Sequence, residues 1–181
     1  MFNEYVSQNV KILENISASD LSSFTSLFER LRLSDSTLWV IGNGGSASTA
    51  SHFVADFNKT ILTGGKALRT FALSELVSLG TAYSNDVSFE DSYQLTLSNI
   101  ARSGDAVLIL SVSGTSPNLV AAFETAKKKG LVTACIVGKG GFNLAKACDY
   151  SILLDSKDYQ LIENAHVSIM HWFVKVLGNA N

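Results

Sequence analysis

Apolar residues recur at two different periods along this chain. Tyr5, Val6, Val10, Leu13 and Ile16 form one helical stripe within residues 3–16, and Leu21, Phe24, Leu27, Phe28 and Leu31 form a second within 20–32. These predict a helical hairpin. From residue 35 onward, short apolar runs alternate with amphipathic stretches. Strands are predicted at 37–42, 67–73, 106–111, 131–137 and 150–154, and helices at 46–59, 75–84, 88–100, 117–129, 142–147 and 158–177. Runs such as Val107-Leu-Ile-Leu and Thr133-Ala-Cys-Ile-Val have no polar alternation, so both faces of those strands should be buried. The expected fold is therefore a three-layer α/β/α sandwich around a five-stranded parallel sheet. One domain spans 1–181, with the helical pair in 1–34 and the α/β core in 35–181.

Two of the strands end in Gly/Ser corners that open helices. The first reads Thr37-Leu-Trp-Val-Ile-Gly42-Asn43-Gly44-Gly45-Ser46, and the second Ala106-Val-Leu-Ile-Leu-Ser111-Val-Ser113-Gly114-Thr115-Ser116-Pro117. A helix N-terminus offers unpaired N–H groups and partial positive charge, so each corner is suited to an anion. Ser46, Ser111, Ser113 and Ser116 add hydroxyl donors, and the glycines permit close backbone approach. Pro117 falls where a helix tolerates it, at the first position. In an open parallel sheet both corners lie at the C-terminal strand ends, where ligands bind. Together they predict a phosphate-bearing small molecule.

Charge and composition narrow the choice of ligand. The net charge of -2 offers no general attraction to nucleic acid or an anionic membrane, so phosphate specificity must be local. No apolar run approaches transmembrane length, and the Met-Phe-Asn-Glu-Tyr start lacks a basic leader, so a cytoplasmic protein is expected. The two cysteines, Cys135 and Cys148, have no metal-type spacing and read as reduced core thiols. Gly42-x-Gly44-x-x-Ala47 matches a dinucleotide fingerprint, but the acid that should hold the ribose is missing: Glu75 comes about 10 residues too late. Gly138-Lys139-Gly140-Gly141 lacks the Ser/Thr of a triphosphate loop. A sugar monophosphate fits better than either.

Among titratable residues, His52 and Asp56 are four apart on the helix after the first corner and share a face. His166 and His171 are about 140° apart around the last helix, so one site cannot use both, and His166 reads as structural. Glu163 and His171 are separated by about 12 Å of helical rise, too far for one metal ion to bridge on a straight helix. That separation hints at a site shared between subunits.

Gly42-Asn-Gly-Gly-Ser-Ala-Ser-Thr-Ala-Ser-His52-Phe, Ser84-Asn85-Asp86, Leu110-Ser-Val-Ser-Gly-Thr-Ser116 and His166-x4-His171, taken in order, resemble the sugar isomerase (SIS) domain. More narrowly they resemble its sedoheptulose 7-phosphate isomerase branch. The resemblance implies a flavodoxin-like sheet, conversion of a ketose 7-phosphate to an aldose 7-phosphate through an enediolate, and tetramers with active sites between subunits. The helical pair would serve oligomerisation. By motif position, Asn43, Gly44, Gly45, Ser46 and Glu163 would contact substrate. Asn85 and Asp86 would hold sugar hydroxyls, and Ser111, Ser113 and Ser116 the phosphate. His52, Asp56, Glu163 and His171 fall on the family's metal-binding and acid/base positions, which implies one zinc per subunit. Asp56 is assigned as the carbon base and His171 as its acid/base partner.

Several positions depart from the family pattern. Asp56 stands for a glutamate, Glu163 for a glutamine, Val112 for a threonine and Gln160 for an aspartate. The changes cluster at the reacting end. Three readings follow: a divergent heptose-phosphate isomerase, an isomerase for another sugar phosphate, and a phosphosugar-binding or adaptor protein without catalysis, similar to the branch that binds the replication initiator protein.

Overall fold

The computed structural model describes residues 1–59 and 67–178. Helices α1 (Phe2–Glu14) and α2 (Ala18–Ser34) precede strand β1 (Leu38–Ile41) and helix α3 (Gly44–Lys59). Then come β2 (Thr70–Ala72), α4 (Val77–Asp86), α5 (Ser92–Ile100), β3 (Ala106–Ser111) and α6 (Pro117–Lys128). The chain closes with β4 (Val132–Gly138), α7 (Phe142–Ala147), β5 (Tyr150–Leu154) and α8 (Tyr159–Gly178). All neighbouring strands pair in parallel, in the order β2-β1-β3-β4-β5. This is the flavodoxin-like order, whose crevice opens between the C-terminal ends of β1 and β3.

Successive strand residues serve opposite faces. Leu38, Val40, Leu108, Leu110 and Ile136 join one core with α2, α3 and α8, while Trp39, Ile41, Val107, Ile109 and Cys135 join the other with α5, α6 and α7. Both layers are thus closed over the sheet, which is why its central strands need no polar alternation. The entry to β3 is fastened by Asp105, which accepts from Thr37 N (2.8 Å), Trp39 Nε1 (3.0 Å) and Arg102 N (2.9 Å).

The helical pair is less of an appendage than its position in the chain suggests. Phe24 stacks on Phe173 of α8 at 5.8 Å, and Phe28 meets Phe173 and Phe57 edge-on at 5.0 and 5.4 Å. Residue 34 therefore marks no packing boundary. Helix α1 keeps an apolar outer stripe through Phe2, Val6 and Val10.

Several element ends shift from the sequence expectation. Strand β2 is confined to three residues at the sheet edge, where it has β1 alone to pair with, and Leu73–Glu75 curl into a 3-10 turn. Helix α5 starts at Ser92 because Ser88 and Asp91 close a turn ahead of it. Helix α3 starts two residues early, since Gly44 supplies a φ of 54° at its entry.

Candidate functional site

The two Gly/Ser corners meet in the crevice between β1 and β3. Asn43, Ser46, Ser111, Val112, Ser113, Ser116, Tyr159 and Glu163 enclose a hollow of about 80 Å³ there. Its donors are arranged by the backbone. Ser111 Oγ accepts from Gly114 N (3.0 Å) and Ser113 Oγ accepts from Thr115 N (3.3 Å), so each hydroxyl keeps its own proton for a ligand. Ser116 is the N-cap of α6 and makes no side-chain cap bond, which leaves its hydroxyl free. The sharp turn needs Gly114: its φ is 65°, and a Cβ there would lie 2.4 Å from Gly141 Cα on the neighbouring loop. Among the described residues no Lys or Arg lines the hollow. What it offers an anion is helix ends, amides and hydroxyls, and the one formal charge among its described lining residues, Glu163, is negative.

Glu163 lies over Gly45 at the start of α3, where a Cβ on Gly45 would come within 2.4 Å of its carboxylate. Helices α3 and α8 both start beyond the C-terminal ends of parallel strands, β1 and β5, and pack together on one face of the sheet, so His52 meets His171 as Gly45 meets Glu163. The seven residues from Gly45 to His52 correspond to about 10 Å of helical rise. At that depth the His52 and His171 rings pack edge to face, 5.0 Å apart. Their Nε2 atoms lie 3.4 Å and 3.5 Å from the same Asp56 oxygen, Oδ2. Thr49, Phe53, Val167 and Met170 complete a pocket of about 10 Å³, room for one water or ion.

Three donor atoms from His52, Asp56 and His171 lie within 4.8 Å of one another. Two imidazoles and a carboxylate are a donor set that zinc accepts, and ligands held at about 2.0–2.2 Å in tetrahedral array stand roughly 3.3 Å apart, close to the 3.4 and 3.5 Å that separate Asp56 from the two imidazoles. The residues fit the metal. Both histidines remain about half exposed, at 51% and 52% of the side chain, so the cluster is open on one side.

The expected four-residue metal set is not gathered within one chain. Glu163 belongs to the hydroxyl-lined hollow, and the rigid rise of α8 keeps it two turns from His171. Asn85 and Asp86 are exposed at the end of α4, and Asn85 Nδ2 donates to Asp86 Oδ1 (2.8 Å). His166 is fully buried, with Nε2 2.9 Å from Ile136 O and Nδ1 without a partner; burial pushes its pKa down to about 4. Both cysteines are free thiols.

Three residues that support the hollow escaped the sequence reading. Tyr93 donates to Gly42 O (2.7 Å), and burial raises the pKa of its phenol. Asn118 pairs with Asn43, and Tyr159 closes one wall. Asn118 follows Pro117 and looks like an ordinary polar residue in a helix's first turn. Tyr93 and Tyr159 sit in helical patterns with nothing in their spacing to set them apart.

Residues 2–138 match the SIS domain family. The chain is 37% identical, over 142 residues, to a probable phosphoheptose isomerase of Thermoplasma volcanium, an alignment covering 78% of this chain and 72% of that protein. Its fold is similar to phosphoheptose isomerases from Neisseria gonorrhoeae (TM-score 0.86, 23% identity, 97% and 96% of the two chains) and Francisella tularensis (TM-score 0.89, 20% identity, 97% and 95%). No helix among the described residues is long and apolar enough to cross a membrane. Glycine-serine corners at a β1/β3 crevice, a histidine-carboxylate cluster below them and these likenesses agree: the chain belongs to the SIS domain family, among the phosphoheptose isomerases.

Proposed function

We propose that this protein interconverts sedoheptulose 7-phosphate and D-glycero-D-manno-heptose 7-phosphate as an aldose–ketose isomerase. The observation that carries this reading is the convergence of His52 and His171 on Asp56 Oδ2, about 10 Å along α3 from a hollow suited to phosphate. An extended seven-carbon chain has a comparable reach, roughly 8–10 Å from phosphate to C1 at ordinary C–C bond lengths.

Ser111, Ser113 and Ser116 hold the phosphate, with the backbone of Gly44, Gly45 and Ser46 at the positive end of α3. Asn43 and Glu163 face the sugar chain, and Asn85 and Asp86 are assigned to its hydroxyls. Asp56 takes a proton from C1 of the open-chain ketose and returns it to C2, while His171 moves a proton between the two oxygens. Both imidazoles approach Oδ2, which leaves Oδ1 as the proton acceptor. His52, Asp56 and His171 are also the residues that would hold zinc, which would supply an electrophile for the enediolate oxygen in place of the proton that His171 carries in the metal-free site.

A homotetramer with sites at subunit interfaces, in the cytoplasm, completes the proposal. Its support is unsatisfied surface: α4 has no buried residue, and Val77, Val87 and Phe89 beside or on it are each at least 60% exposed. The test is isomerisation of sedoheptulose 7-phosphate with and without added zinc, beside Asp56→Asn and direct titration of the substrate. Turnover lost in Asp56→Asn is the expected result. Tight binding without turnover in the native protein would overturn it in favour of another sugar phosphate or a binding role, which the shortened arm of Asp56 favours.

A further inference from the structure

The pair formed by Asn43 and Asn118 has a role that neither loop shows alone. Asn118 Nδ2 donates to Asn43 Oδ1 and Asn43 Nδ2 donates to Asn118 Oδ1, both at 2.9 Å, closing a reciprocal amide ring. Asn118 is only 1% exposed. It sits in the first turn of α6, directly after Pro117. Asn43 is the turn before α3, and its carbonyl accepts from Ser46 N (3.0 Å) and Ala47 N (3.3 Å). One side-chain ring therefore ties the start of α3 to the start of α6. Nothing else among the described residues joins these two helix entries by side-chain hydrogen bonds across the crevice.

We propose that Asn118 is a positioning residue that, through Asn43, sets the separation of the two anion-binding loops and so the fit of the phosphate between them. This rests on the reading of the hydroxyl-lined hollow as the phosphate site. The physical reason is directional. Helix-end N–H groups and serine hydroxyls bind an anion well only when they converge, and hydrogen bonds weaken steeply with angle and length. The two loops follow separate strands, β1 and β3, and their strand pairing ends at Ile41 and Ile109. Beyond that point the amide ring is what holds them in register. A buried amide is well chosen for this, because removing either partner leaves the other unpaired. The ring uses one N–H and one lone pair of each amide, so Asn43 retains an N–H for the ligand.

The test is titration of native protein, Asn118→Ala, Asn43→Ala, the double variant and Ser113→Ala with sedoheptulose 7-phosphate and with inorganic phosphate, alongside thermal melting and kcat at saturating substrate. Asn118→Ala should weaken both ligands about tenfold while kcat falls less than threefold, and the double variant should be no worse than Asn43→Ala alone, because Asn118 acts only through Asn43. A lower melting temperature with native affinity for both ligands would reduce Asn118 to packing and overturn the role. If Asn118→Ala does not fold, Asn118→Leu, which keeps the side-chain volume and breaks the same ring without touching a residue that lines the hollow, decides by the same readings. Unchanged phosphate binding in Ser113→Ala would overturn the phosphate site itself, and this role with it.

Discussion

The hydroxyl-lined hollow and the histidine cluster lie on the same pair of helices but are built in opposite ways. The hollow is made from contiguous loops, with serine hydroxyls oriented by the backbone amides two or three residues away. The cluster is made from side chains on α3 and α8 that are more than a hundred residues apart, brought together by helix packing over the sheet. A site of the first kind is rigid wherever its loop forms. A site of the second kind depends on the register of two helices, and small changes in side-chain length alter it directly. Of the four departures from the family pattern, Asp56, Gln160 and Glu163 are helix-borne, while the four loop serines and the glycines fit the pattern and Val112 alone departs in the loops.

The comparison breaks most severely at Asp56. Asp56→Asn should lower kcat by about a thousandfold, near 4 kcal/mol of transition-state stabilisation, with sedoheptulose 7-phosphate affinity within about threefold of native. Binding and turnover lost together would mean that the two regions are one.

His166 tests what they share, since it anchors α8 to β4 between Glu163 and His171. Burial holds its imidazole neutral, with a pKa pushed down to about 4 from the ordinary value of 6.5. Between those values the unfolded chain binds a proton that the folded one does not. The His166 contribution should therefore be constant above pH 6.5 and lower stability by roughly 3 kcal/mol as pH drops toward 4. Urea midpoints against pH will show this, and His166→Gln should remove this part of the slope. A slope unchanged in that variant would assign acid sensitivity to other groups.

Smaller effects separate the regions further. Ser116→Ala should weaken phosphate about fivefold, about 1 kcal/mol, and leave zinc binding at the cluster untouched. Glu163→Gln should strengthen phosphate about threefold by removing the negative charge that Glu163 puts on the wall of the hollow, a gain that shrinks at high salt. Equal affinity in the two forms at low salt would show that the carboxylate does not face the ligand.

Local patterns were enough for most of the fold. The apolar runs in β3 and β4 announced strands buried on both faces, and the corner at Ser111–Pro117 announced a helix entry, because these are matters of near-neighbour geometry. The i, i+4 pairing of His52 with Asp56 was legible for the same reason, and His166 could be assigned to the core from its angle around the helix. The start of α5 was missed because the turn at Ser88–Asp91 interrupts a helical pattern that continues on both sides. The depth to which α2 enters the core was not legible, since Phe24 and Phe28 have the same spacing whether they cover a neighbour or this chain's own Phe173.

Hydrophobic period and turn chemistry act over a few residues, so the parallel α/β architecture and the two glycine-serine corners were already written in the chain. Tertiary structure decided which side chains share a site. Packing of α8 beside α3 put His171, not Glu163, on Asp56, since a helix rising about 1.5 Å per residue cannot bring residues eight apart to one point. Convergence of β1 and β3 likewise made a clamp of Asn43 and Asn118, two residues whose relation no local spacing records.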